Sequence, residues 1–90
     1  VKAAPNQPPL MDTLALALAA ESQLPKALEL QKKVVDMAPQ APSFRLNLAR
    51  MLLQAGDKAA ARTELEKLDK LGMAFAGHAE VKDLLKQAGA

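Results

Sequence analysis

The stretch Leu48-Ala49-Arg50-Met51-Leu52-Leu53-Gln54-Ala55-Gly56-Asp57-Lys58-Ala59-Ala60-Ala61-Arg62 decides the fold. Leu48, Ala49 and Leu52 mark the inward side of a helix. Gly56 supplies a left-handed stop, and Asp57 is a cap for the next helix. Ala61, Leu65 and Leu68 then resume helical spacing at i, i+4 and i+7. This is helix, tight turn, helix. The same design occurs earlier in the chain at a fixed step: Leu14/Leu48, Ala15/Ala49, Leu18/Leu52, Ala27/Ala61, Pro5/Pro39 and Pro8/Pro42 each stand 34 positions apart. A step of that length joining two helical patterns defines a repeated helical hairpin. Such a hairpin cannot bury its apolar side alone and stacks on its neighbours.

The period sets the organisation. The first hairpin covers 8–41: a helix over about Pro9 to Glu21, a turn at Ser22 to Leu24, and a second helix from Pro25 to about Ala38, stopped by Pro39. Ala27, Leu28, Leu30, Val34 and Val35 form its apolar stripe. The second hairpin covers 42–75, with Ser43 expected as the N-cap of its first helix and Gly72 as the end of its second. Glu66 and Lys70 are spaced for an i, i+4 ion pair. Residues 76–90 read as a capping unit. After a loop at Met73 to Gly77, a last helix over His78 to Ala88 carries Val81, Leu84, Leu85 and Ala88 on one side, with Glu80, Lys82, Asp83 and Lys86 on the other. An amphipathic final helix is what closes the end of a stack. Residues 1–7 read as the tail of a preceding repeat, because Val1 to Pro5 aligns with Val35 to Pro39. On that reading the first helix lacks a neighbour, Leu10, Met11 and Leu14 are partly bare, and the chain self-associates through this helix.

Composition narrows the function classes. Hydrophobic residues make up half of the chain, which excludes a disordered polar tail, and Phe44 and Phe75 are the only aromatics. The core must therefore be built from Leu, Ala, Val and Met. Net charge is +2 with both signs interspersed, without the basic stripe and stacking aromatics of a nucleic-acid binder. No apolar run reaches the ~20 residues that cross a bilayer. The apolar run Leu14 to Ala20 has no basic segment before it, so it is not a signal peptide. There is no cysteine, hence no disulfide.

No catalytic constellation is present. His78 is the sole histidine and stands where a helix begins; without a second His or any Cys, a metal site of the common kind lacks ligands. Ser22 and Ser43 fall in turn or cap contexts, where a hydroxyl serves the backbone. Gly56 and Gly72 are helix stops, not a phosphate-cradling loop. Paired carboxylates such as Asp57 and Glu64, or Glu66 and Asp69, belong to a solvated helix face. The reading is of a non-enzyme that takes no cofactor and no metal.

The residues at the repeated positions resemble the tetratricopeptide repeat family. The first repeat offers Met11, Leu14-Ala15, Leu18, Ala27, Gln31, Val34 and Pro39; the second offers Arg45, Leu48-Ala49, Leu52, Ala61, Leu65, Leu68 and Met73, with Gly56-Asp57 at the favoured turn. The departures are Arg45 for a large aromatic, Gln31 for a bulky core residue, and Met73 for a proline. The resemblance implies an all-α, tetratricopeptide-type solenoid of helical hairpins, two repeats plus a C-terminal capping helix, serving as a protein–protein interaction scaffold. It also implies a concave face lined by the first helix of each hairpin. By repeat position that face holds Asp12, Leu16, Ala19 and Ala20, then Ser43, Leu46, Arg50, Leu53 and Gln54. Leu16, Leu46 and Leu53 are expected there as apolar anchors for a protein or peptide segment, and Arg50 as a partner for a carboxylate. Some family members clamp a chaperone's terminal carboxylate with Lys and Asn. Asp12 and Leu16 stand in the way of that role here, although Asn47 alone would fit.

A narrower resemblance rests on Phe44 to Arg50, Ala55 to Arg62, Glu64-Leu65, and the segment Phe75 to Gln87 with Ala79-Glu80 and Leu84-Leu85-Lys86. These words are similar to the C-terminal repeats of tetratricopeptide lipoproteins linked to exopolysaccharide export and the exosortase (PEP-CTERM) system. That would imply a periplasmic assembly scaffold, a piece of an outer-membrane lipoprotein that does not itself enter the membrane. The alternatives are a cytoplasmic adaptor or regulatory array, or the accessory part of an enzyme whose catalytic domain lies elsewhere.

Overall fold

Proline opens three of the helices in the computed structural model, which describes residues 7–39, 41–70 and 78–89. Helix α1 spans Pro8–Ala20, α2 Leu24–Met37 and α3 Pro42–Gln54; each has Pro in its first two positions and no side-chain cap. A proline there lacks an N–H that would be an orphan anyway, and its fixed φ suits the first turn. This corrects the expectation for Ser43: Pro42 takes the first helical position, so the N-cap is Ala41 and the serine already lies inside the helix. Helix α4 spans Lys58–Asp69 and is capped as expected, the Asp57 carboxylate accepting from the Ala60 N–H at 3.2 Å. Helix α5 spans His78–Gln87.

The two hairpin turns are built alike. Gly56 has φ +86° and Ser22, 34 residues earlier, has φ +65°. In both turns the next residue donates back into the helix, Asp57 N to Leu52 O and Gln23 N to Leu18 O, each at 2.9 Å. The paired bonds Gly56 N to Leu53 O (3.0 Å) and Ser22 N to Ala19 O (3.1 Å) complete a Schellman stop. At the other boundary, Pro39 pushes Ala38 out of helical geometry (φ −135°) and ends α2.

Packing follows the repeat. Helix α1 lies on α2 and α3 on α4; α2 then packs on α3, and α4 on α5. Helices α1, α3 and α5 touch in succession as one row, with α2 and α4 as the other. The Cα extents, 37 × 26 × 16 Å, fit two layers of helices, since interaxial distances run to about 10 Å. The core is a relay of three clusters. Ala15, Ala19 and Ala27 meet Met51; Val35 meets Leu48, Leu52 and Ala61; Leu46 and Ala49 meet Leu65, Leu68, Val81, Leu84 and Ala88. Each cluster includes residues from the next hairpin or helix, so no unit has a closed core of its own.

Three further expectations are revised. Helix α4 ends at Asp69, short of Gly72, which lies outside the described residues, as does the expected loop over 73–77. With Lys70 at the C-cap, Glu66 lies 4.0 Å from Arg62 instead of pairing with it. Met11 is buried, whereas Leu10 and Leu14 are 55% and 40% exposed.

Two substitutions test the turns by urea denaturation. A Cβ at Gly56 would meet nothing within 4 Å, so Gly56→Ala isolates backbone strain and should cost about 1–2 kcal/mol. Ser22→Gly should stabilise, by roughly 0.5–1 kcal/mol, because it removes the same strain at the equivalent position.

Candidate functional site

The row of α1, α3 and α5, the inner one on the expected reading, carries all the residues expected on the concave face, and the structure separates them. Ala19 and Leu46 are buried. Leu46 was expected on the open side but sits beneath α5 in the cluster of Leu65, Leu68, Val81 and Leu84, because α5 continues the row and covers it. Leu53 is half-buried against the same helices. Leu16 (42%), Ala20, Ser43, Arg50 and Gln54 remain exposed.

Asp12 is turned inward. Its Oδ1 accepts from Gln31 Nε2 at 2.7 Å and from Asn47 Nδ2 at 3.1 Å. Gln31 is fully buried, and its Nε2 also donates to the Phe44 carbonyl at 2.9 Å. The two acceptors fix the amide's orientation and leave Gln31 Oε1 as a buried oxygen without a partner. Asn47 Oδ1 accepts from an Arg50 guanidinium N–H at 2.8 Å, and Arg50 forms a two-point pair with Glu80, its Nε donating to Oε2 at 2.8 Å. A chain of side-chain bonds thus runs from α2 through α1 and α3 to α5. Arg50 already holds a carboxylate, that of its own chain. Asn47 gives its amide N–H groups to Asp12, which further removes it from clamping a terminal carboxylate.

Position 12 and position 46 are one period apart, as are 47 and 81. The same junction between successive inner helices is therefore Asp12 with Asn47 in one place, and Leu46 with Val81 in the other.

Arg50, Leu53 and Gln54 share an open groove of about 340 Å³ with Leu84 and Gln87 of α5. The last two were missed as site residues, although a signal existed: they stand one period after Arg50 and Leu53. On the opposite side, a groove of about 370 Å³ lies over Val35, Leu48, Leu52 and Ala60. There Arg45, the residue replacing the family's aromatic, pairs with Glu64 at 2.5 Å and reaches the Pro39 carbonyl at 3.4 Å. Both partners are mostly buried, at 15% and 17% exposure, so this pair stitches α3 to α4.

Among the described residues no group of His, Cys, Asp and Glu is placed to hold a metal, and no helix is long and apolar enough to cross a membrane. His78 begins α5; its side chain lies outside the described residues.

A family model described as tetratricopeptide repeat matches residues 18–88. No curated protein matches the chain.

The buried amide gives a direct test. Gln31→Glu would bring a second carboxylate against Asp12 in a site with no exposure. It should destabilise the fold by about 3 kcal/mol at pH 7 in urea titrations. Burial raises the pKa of the introduced carboxyl in the folded state, so the deficit relative to the parent should be largest at neutral pH. It should shrink as pH falls and that group takes up its proton.

Proposed function

The chain belongs to the tetratricopeptide repeat family, and from that premise we propose that it is a non-catalytic module whose inner row of helices holds an extended segment of another protein. The observation that carries this is the groove between α3 and α5. Leu53 and Leu84 give it an apolar floor, while the side-chain amides of Gln54 and Gln87 stand at its edge. Primary amides both donate and accept, which suits the alternating N–H and C=O groups of an extended main chain. Leu16, one period before Arg50, prolongs the surface along α1 as an exposed apolar anchor. Burial of Ala19 and Leu46 and the internal bonds of Asp12 leave Leu16, Ala20, Ser43, Arg50, Leu53 and Gln54 of the expected set, with Leu53 half-buried and the others exposed.

For the setting, the proposal is the bacterial envelope, as part of an exopolysaccharide-export or exosortase-linked assembly. The support is the wording of Phe44 to Arg50 and Ala55 to Arg62, similar to the terminal repeats of such lipoproteins.

Binding to envelope extracts tests both statements. Leu16→Glu with Gln54→Arg alters two exposed positions and should leave the melting temperature unchanged. Partner affinity should weaken by about tenfold or more, the size of one lost interface contact of over 1 kcal/mol. Undiminished binding by the folded double variant would remove the inner row as the contact surface. Recovery of the native protein with the cytosol after fractionation would remove the envelope setting.

A further inference from the structure

We infer that Glu80 sets the charge preference of the groove between α3 and α5: by holding Arg50 it makes this surface select an uncharged, apolar segment of a partner and pass over an acidic one. Such a preference presupposes that the row of α1, α3 and α5 holds a partner segment, as proposed above, and specifies the chemistry of that segment.

The Arg50 guanidinium is positioned entirely from within the chain. Asn47 gives its amide N–H groups to Asp12, which turns its Oδ1 to Arg50, and that oxygen accepts from Nη1 at 2.8 Å. On the other side Nε donates to Glu80 Oε2 at 2.8 Å and Nη2 donates to Glu80 Oε1. The Nε–Nη2 edge is a fork that grips carboxylates, and Glu80 fills it. A partner's carboxylate brought to the remaining N–H groups would meet the like charge of Glu80. One that displaced Glu80 would exchange an ion pair for its equal. A partner's cation would meet the guanidinium. Either sign bears a desolvation cost with no new pair to offset it. An uncharged segment bears none, and its main-chain carbonyls can still accept from the two N–H groups of Arg50 that stay open.

The repeat isolates this charge. One period before Arg50 stands Leu16, and one period after it Leu84, so a line of apolar residues crosses the three helices with a single cation at its centre. Other charges on these helices are turned elsewhere. Asp12 is bound by Gln31 and Asn47, Arg45 by Glu64 on the opposite side, and Lys82 lies 3.6 Å from Asp69 of α4. Asp83 and Lys86 stand at the register of Ala49 and Leu52, which pack towards α2 and α4. Glu80 therefore cancels the one charge that the groove would otherwise show. Arg50 and Glu80 keep 45% and 42% of their side-chain surface, and pairs so exposed add little to folding stability. What Glu80 changes is the charge that a ligand meets.

The test is selection of a random-sequence peptide library displayed on phage against the whole chain and its variants. Peptides are counted when Leu16→Glu with Gln54→Arg abolishes their binding, which places them on this row. If none meets that condition, the row is not the contact surface, and this inference falls with that reading. The parent chain should enrich peptides of near-zero charge rich in aliphatic residues. Glu80→Gln should enrich Asp and Glu, and an acidic peptide so selected should bind it about tenfold or more tightly than it binds the parent, with the difference shrinking in high salt. Arg50→Gln with Glu80→Gln, neutral again, should return to uncharged peptides, an outcome that a purely structural role of Glu80 does not produce. Counted peptides that are acidic from the parent chain, or of the same composition from the parent and Glu80→Gln, overturn the inference while leaving the row as the binding surface.

Discussion

Close approach of neighbouring helices at alanine is the constraint on which the structure rests. Ala15, Ala27, Ala49 and Ala61 have no exposed surface at all, and they occupy the same two positions in each hairpin. A larger side chain at any of them would push two helices apart, and interiors at crystal-like density do not absorb such a change locally. Because the spacing is set by the smallest side chain, the layers stay thin and leucines fill the clefts around the contact. The near absence of aromatic residues is tolerable for the same reason: helices this close leave little space that needs a large ring to fill it.

Around those contacts the three apolar clusters pass from one hairpin to the next, and the polar chain Gln31–Asp12–Asn47–Arg50–Glu80 runs across them on the inner side. The two systems differ in what they contribute. Apolar burial supplies most of the free energy without direction. The hydrogen bonds fix which residues meet: Gln31 reaches two helices at once and holds the first turn of α3 against α2 through the Phe44 carbonyl. The oxygen of Gln31 left without a donor is a local cost set against that orientation.

Most of the architecture was legible because its determinants are local or periodic. Gly56-Asp57 states a helix stop and a helix start in two residues, and both functions are realised. Ser22 carries the same left-handed geometry without a glycine to announce it; only its place one period before Gly56 reveals it. The site was less legible, for a physical reason. Whether Leu46 faces solvent depends on how far α5 reaches over α3, and residue type does not encode that distance. Arg50 was expected to meet a partner's carboxylate, and the structure gives it one from α5, because Glu80 lies across the junction at a sequence separation no local pattern displays. Ser43 was misjudged through competition: both Pro42 and Ser43 favour a helix start, and the fixed dihedral of proline takes the earlier position.

The unlike chemistry of the two inner junctions has a consequence for how the chain assembles. Hairpins cut to one pattern invite docking out of order, since each presents nearly the same edge to any other. Here the first hairpin set down one step too far, against α5, would drive the Asp12 carboxylate against Val81 and leave the Asn47 amide without it. That error strands polar groups in a dry seam. One seam is keyed by hydrogen bonds and the other by oil, so the order of stacking is written into side chains that the repeat itself would otherwise have made interchangeable.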